Sequence, residues 1–353
     1  MLNASRGPTR PHLVSHPPQP RLVETTIQEA FGVGSASPIL AWDQPPEAGA
    51  VLANPDYVFR KEVVRDLLLF WSMPGERACM LVGPPGCGKT TAVEQWHARL
   101  NWPLLVINAH KRLRAEDLFA EMLPNERGGL DFVDRPLVQA ARNGWSVLIN
   151  EINAADPGVT IALNDIAQSG SRVVVPQTGE IIEPHEDFRI FGTMNPPGHG
   201  ISHFGRQSID ASTRERFMWI EVDYPTEEDE VKVILNAVRP LFGPSAADGE
   251  DPASAFTLCA TRMVQTAAEV RRLGVGRSDR PDALTDTMST RVLARWARYW
   301  VGYGRLPGAP HVALRRAFTD GCEPEIAQAI HALVTLKCNV ADPRKSGSGQ
   351  RNA

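Results

Sequence analysis

At 353 residues, with 42% hydrophobic and 22% charged residues, the chain has the composition of a soluble globular protein long enough for two domains and a sizeable core. Its 37 Lys plus Arg against 41 Asp plus Glu leave a net charge of −4, which argues against indiscriminate binding to nucleic acid or acidic membranes. The five cysteines (Cys79, Cys87, Cys259, Cys322, Cys338) are scattered and never form a C-x-x-C pair, so they suggest neither a disulfide framework nor a zinc site. No apolar run approaches the ~20 residues of a membrane span, and Pro and Arg stand where a signal core would lie, so the expected location is the cytoplasm.

Residues 1–52 are rich in Pro, Ser, Gly and Ala and read as a flexible lead, with one possible docking helix in "LVETTIQEAFGV". Order is expected from "NPDYVFRKEVVRDLLLFW", where Val63, Leu67 and Phe70 recur at helical spacing. Strands and helices then alternate. "ACMLVG", "PLLVINA", "WSVLINE" and "FRIFGTMN" read as strands, and "TTAVEQWHARL", "RPLVQAARNG" and "PGVTIALNDIAQSG" as helices. This alternation predicts an α/β core over 53–225, a parallel sheet covered on both faces. Two interruptions stand out: an excursion at 123–134, and an alternating stretch around Thr178-Gly179 that reads as a hairpin. After "MWIEVDYP" the period turns helical, which predicts an all-helical second domain over 226–342 and a disordered tail over 343–353.

Gly83-Pro84-Pro85-Gly86-Cys87-Gly88-Lys89-Thr90 fits G-x-x-x-x-G-K-[ST] at every fixed position and lies between a predicted strand and a predicted helix. Glycines let the backbone N–H groups of such a loop turn inward on phosphates, and the helix behind it adds its positive end. Lys89 supplies a point charge for the β- and γ-phosphates, the Thr90 hydroxyl can ligate Mg²⁺, and Thr91 continues the nucleotide-binding run. Cys87 reads as a small filler, although a helix N-terminus would lower a thiol pKa. The apolar strand "WSVLINE" delivers Asn150 and Glu151 to the carboxyl edge of the sheet. Glu151 is placed to activate a water. Asn150 stands where a carboxylate usually would and can reach Mg²⁺ only through a water, with no negative charge to offer.

The order of "GPPGCGKT", "VLINEIN", "FGTMNPP", "STRERF" and "MSTRVLARW" resembles an AAA+ ATPase of the MoxR-related, helix-2-insert group. "NPDYVF", "NWPLLVINAH", "AEDLFAEMLPN" and "PQTGEIIEPHEDFRIFGT" are similar to the small ATPase subunit of cobaltochelatase and to the activators of rubisco and nitric oxide reductase. The resemblance covers roughly 53–300. It implies that Asn195 is the sensor orienting the attacking water and that Arg216 is the arginine finger reaching a neighbour's γ-phosphate, with Arg214 as companion. It further implies that Arg291 is the second sensor, in the helical lid. Tyr57 and Val58 resemble the segment lying against adenine, and as apolar residues they fit a core position equally well. Members usually carry Asp-Glu where this chain has Asn150-Glu151.

Together these features predict an ATP-hydrolysing, Mg²⁺-dependent motor, a homo-oligomeric, hexameric ring acting on a protein client, and the family suggests a von Willebrand A-type adaptor. Two other classes remain open: a nucleic-acid-directed motor and a weakly hydrolysing assembly scaffold. Support for the first is the stretch Arg262–Arg316, where 11 Arg and no Lys face four acidic residues for a net of +7, a pattern that also suits a solvated helical face. Support for the second is Asn150. His199 and His203 lack a nearby carboxylate or Cys and read as surface residues.

Overall fold

The computed structural model describes residues 21–126, 128–168, 170–195, 211–242, 252–274, 287–340 and 342. The part of the lead from residue 21 onward departs from the flexible segment expected. β1 (Leu22–Thr26) pairs antiparallel with β2 (Pro38–Trp42), and α1 (Ile27–Phe31) lies between them. Thr26 caps this short helix reciprocally: its hydroxyl accepts from the Glu29 N–H at 3.1 Å, while the Glu29 carboxylate accepts from the Thr26 N–H at 3.0 Å. Ile27, Ala30 and Phe31 are buried, and the Phe31 ring stacks on Trp96 at 4.5 Å. The docking helix expected in "LVETTIQEAFGV" is thus α1, and it is the two strands around it that a Pro- and Gly-rich composition hides.

Next come α2 (Lys61–Ser72), β3 (Ala78–Val82), α3 (Lys89–Leu100) and β4 (Leu104–Asn108). The excursion is an antiparallel hairpin, β5 (Ala120–Pro124) with β6 (Leu130–Asp134), and it leads into α4 (Pro136–Asn143). Then follow β7 (Ser146–Asn150), α5 (Pro157–Ala167), the second hairpin of β8 (Val173–Val175) and β9 (Glu180–Ile182), β10 (Arg189–Met194), α6 (Ala211–Arg216) and β11 (Met218–Glu221). The central sheet has the order β11-β3-β10-β7-β4, every neighbouring pair parallel. Alternate strand residues serve opposite layers. Met80, Ile149 and Ile190 join the core beneath α4 and α5, while Cys79, Leu81, Leu148 and Phe191 join the one shared with α2 and α3. This double burial explains why the strands read as continuous apolar runs, and it fixes one carboxyl edge at which Val82 and Met194 lie in register, as do Asn108 and Asn150.

Beyond β11, among the described residues, the chain is helical: α7 (Glu227–Val238), α8 (Thr257–Gly274), α9 (Thr290–Tyr303), α10 (Ala309–Ala317) and α11 (Pro324–Cys338) share a separate core around Trp296, Met263 and Leu314. The sequence reading misses α10, whose nine residues begin with Ala-Pro. Pro310 is tolerated in the first turn because its absent N–H needs no partner there, and its carbonyl accepts from the Trp296 indole at 2.8 Å. One ion pair holds the lid internally. The Arg271 guanidinium donates to both Glu230 carboxylate oxygens at 2.8 and 2.9 Å and to the Met288 carbonyl at 2.7 Å, and the Thr290 hydroxyl donates to Glu230 at 2.5 Å. No helix among the described residues is long and apolar enough to cross a membrane.

Candidate nucleotide site

The glycine loop leaves β3 at Gly83, where a Cβ would fall 1.8 Å from the Val222 carbonyl, so only glycine permits β11 to end against the loop. Gly86 and Gly88 take φ of 71° and 97°, left-handed values that close the loop onto the first turn of α3. Within it the Lys89 ammonium donates to the Gly83 and Pro84 carbonyls, both at 2.8 Å, and to the Asn195 side-chain oxygen at 2.7 Å. The charge is thus buried, at 8% exposure, yet fully directed at acceptors that phosphate oxygens can replace. Asn195 is held in turn by Asn153, whose amide donates to its carbonyl at 3.3 Å.

Beside the loop, Asn150 sits at the end of β7. Its amide oxygen accepts from the Thr90 hydroxyl at 2.6 Å and from the Thr193 hydroxyl at 2.7 Å, while its NH₂ donates to the Asn108 side-chain oxygen at 3.3 Å. Asn108 therefore turns the oxygen of Asn150 toward Thr90. Thr193 also accepts from the Glu151 N–H at 3.0 Å, which fastens the backbone where Glu151 takes the left-handed φ of 56° and leaves its side chain exposed. These oxygens suit a hard cation such as Mg²⁺: a hydroxyl and an amide oxygen, neutral and close together, with a carboxylate one residue further on. Asn150 and Thr90 themselves bring no negative charge to that set.

Above the loop a cleft of about 420 Å³ opens between core and lid, within the range of small-ligand sites. Tyr57, Val58 and Asn54 line it from the core, Gly86, Gly88 and Thr91 from the loop and α3, and Arg291 and Arg298 from α9. Burial pushes the Tyr57 phenol up to about 12, so it stays neutral. The lid rests directly on the loop, since a Cβ at Gly86 would lie 2.5 Å from that of Ser289, the residue capping α9. A second link runs through Tyr224. Its hydroxyl donates to the Pro85 carbonyl at 2.9 Å, and the Arg271 guanidinium lies 3.8 Å over its ring.

Hydrogen bonds thus join Lys89 to Asn195 and Thr90 to Asn150, with Glu151 next to Asn150, and Tyr57, Val58, Thr91 and Arg291 share the cleft. Arg214 and Arg216 do not line it. Arg216 donates to the carbonyl and hydroxyl of Ser212 within α6, and the exposed Arg214 meets Trp219 only through its carbonyl. Cys87 corrects the notion of a lowered thiol pKa. Burial dominates and raises it against the opposing pull of Lys89 and Arg60, and its Sγ contacts the Val222 carbonyl at 2.9 Å, as a filler does. His199 and His203 lie outside the described residues. Sequence reasoning misses Arg60, 5% exposed, which donates to the Asp223 carbonyl and to that of Cys87 and so ties the loop to the strand end. It also misses Thr193, Asn108, Asn153, Tyr224 and Arg298. Arg298 is detectable in principle, because it lies two turns beyond Arg291 on the same helical face; the others owe their places to strand order.

A family profile described as "AAA domain (dynein-related subfamily)" matches residues 78–217, and one described as "CbbQ/NirQ/NorQ C-terminal" matches residues 253–337. The denitrification regulatory protein NirQ of Pseudomonas aeruginosa is 30% identical over 73% of this chain and 88% of its own. The aerobic cobaltochelatase subunit CobS of a Sinorhizobium species is 27% identical over 88% of this chain and 90% of its own. Midasin of Dictyostelium discoideum is 33% identical over 44% of this chain, which spans only 3% of that protein. With a glycine-rich loop at the carboxyl edge of a parallel sheet, a helical domain resting on it, and NirQ and CobS matched along 88% and 90% of their own lengths, the chain belongs to the AAA+ ATPases, in the MoxR-like group that carries the CbbQ/NirQ/NorQ C-terminal domain.

Proposed function

We propose that this chain hydrolyses ATP with Mg²⁺ as a subunit of a homo-oligomeric ring, a hexamer, and uses the cycle to remodel a partner protein or to assist insertion of its metal or cofactor. Phosphate oxygens take the Lys89 charge that two carbonyls and Asn195 otherwise share. Thr90 and, through water, Asn150 hold the Mg²⁺, which when bound neutralises phosphate charge. Glu151 accepts the proton of the attacking water, Asn195 orients that water, and Tyr57 and Val58 pack against adenine. Arg291 draws the lid onto the phosphates. The partner enzymes are inferred from the printed names of NirQ and CobS, and a von Willebrand A-type adaptor and cytoplasmic operation complete the reading. Apolar residues exposed on the two hairpins, among them Met122, Leu130 and Phe132 on one and Val174 and Ile181 on the other, suit contact with a protein client.

The observation that carries this reading is a division within one chain: the phosphate loop, Asn150, Glu151 and Asn195 converge, whereas Arg216 and Arg214 stand outside the cleft they would serve. A finger contributes about 10³- to 10⁵-fold in rate, so a neighbour must supply it. Arg216→Ala should bind ATP and hydrolyse it poorly, and Lys89→Ala should not bind it. A mixture of the two inactive proteins recreates complete sites and should regain activity. If mixtures stay inactive while labelled chains demonstrably exchange, Arg216 is not a finger acting across subunits.

The basic stretch gives little support to nucleic acid as the target. Arg271 is buried against Glu230, Arg272 pairs with Glu269, Arg316 with Asp320, Arg262 and Arg295 donate to the Cys338 and Ala317 carbonyls, and Arg291 and Arg298 line the cleft. The scaffold reading rests on Asn150 alone, and steady-state phosphate release separates it from a motor.

A further inference from the structure

Outside the cleft lining, the lid carries a convergence of metal-ligating side chains that the proposed ATPase cycle does not use. His311 projects from α10, His331 from α11, and Asp342 follows the left-handed turn at Asn339 that ends α11. One donor atom from each lies within 4.8 Å of the others, at exposures of 1%, 2% and 6%. The two imidazoles face each other through Nδ1, 2.9 Å apart. Two lone pairs do not approach so closely unless a proton or a cation lies between them.

The outer nitrogens carry the second observation. His311 Nε2 donates to the Val340 carbonyl at 3.0 Å, with the Thr335 hydroxyl at 3.4 Å, and His331 Nε2 lies 2.9 Å from the Thr319 hydroxyl. Ligating histidines are oriented in this way, with the far N–H given to a carbonyl or hydroxyl so that the near nitrogen presents its lone pair. A carboxylate completes the set with one negative charge.

We propose that His311, His331 and Asp342 bind a divalent transition-metal ion, Zn²⁺ by ligand type, with water in the fourth tetrahedral position. Two imidazoles and a carboxylate match zinc and exclude a preference for Mg²⁺, which selects oxygen. The ion would pin the chain beyond α11 to α10, and none of its three ligands lines the nucleotide cleft.

The test uses the full chain without a histidine tag. Elemental analysis after purification should find close to one zinc per chain, equally in Lys89→Ala, and little in Asp342→Asn or His331→Gln. Chelated wild type should take up Co²⁺ with the visible spectrum of a tetrahedral site, and Thr319→Ala should bind Zn²⁺ about 10- to 100-fold more weakly. Should His331→Gln fail to fold, Asp342→Asn and the Co²⁺ titration of wild type decide the matter. The proposal is overturned if purified protein carries no transition metal and chelated wild type binds Zn²⁺ no more tightly than Asp342→Asn does; the cluster is then a hydrogen-bonded piece of core.

Discussion

At the carboxyl edge of the sheet, the side chains around Asn150 that position one another are neutral: Thr90, Asn108, Asn150 and Thr193 share hydrogen bonds, with the charges of Lys89 and Glu151 beside them. Inside the lid the corresponding work falls to a full ion pair, Arg271 with Glu230, closed by Thr290 and the Met288 carbonyl. The difference follows from what each region has to meet. A site awaiting a polyphosphate keeps its own charge for the ligand and orients with dipoles. A lid that must hold one shape through a cycle can neutralise charge internally, provided that every donor and acceptor is matched.

That contrast can be broken at its charged points first. Glu151→Gln removes the carboxylate beside Asn150 without disturbing the neutral network, so ATP binding should persist while kcat falls about 10²- to 10⁴-fold. Single-turnover hydrolysis alongside nucleotide affinity measures both, and wild-type turnover would place the base elsewhere. Arg271→Ala strands the buried Glu230 and should lower stability to denaturant by about 3–5 kcal/mol, whereas the double change Arg271→Met with Glu230→Leu should recover most of it.

Acid probes the core in a third way. Burial against the Trp71 and Phe191 rings depresses His97 to about 4. Because this lies below the ~6.5 of an unfolded histidine, the stability it contributes is complete above the unfolded value and lost as pH falls toward the folded one. Between pH 7 and 5 the loss should be about 2 kcal/mol, and urea midpoints for His97→Leu should flatten over that interval. The gentlest change adds charge to the neutral edge. Asn150→Asp should lower the Mg²⁺ half-saturation several-fold with ATPase rate held or raised, while Asn108 turns its amide to donate to the new carboxylate. A higher half-saturation would mean that residue 150 does not serve the ion.

Much of this molecule is legible in its sequence where one residue type answers one local demand. Fixed glycine spacing before Lys89-Thr90 marks the loop, and the double burial of β3, β7 and β10 leaves apolar runs that nothing else resembles. The β1–β2 pairing around the docking helix and α10 were hidden for local reasons too, a Pro- and Gly-rich composition in one and an Ala-Pro start in the other. Arg60, Thr193 and Tyr224 are different. They matter because β11 lies beside β3 and β10 beside β7, and strand order in a parallel sheet leaves no mark on the strands themselves.

The placement of β11 also sets how far apart two events in the proposed ring would be. Arg216 stands just before this strand, and Val222, just after it, presses on Gly83 and accepts the contact from Cys87. Six residues of mostly extended chain span roughly 20 Å. In the proposed assembly, one end of that rod touches a neighbour's γ-phosphate and the other abuts this chain's own phosphate loop. Two neighbouring sites would then be joined through one short run of backbone that β3 holds in register.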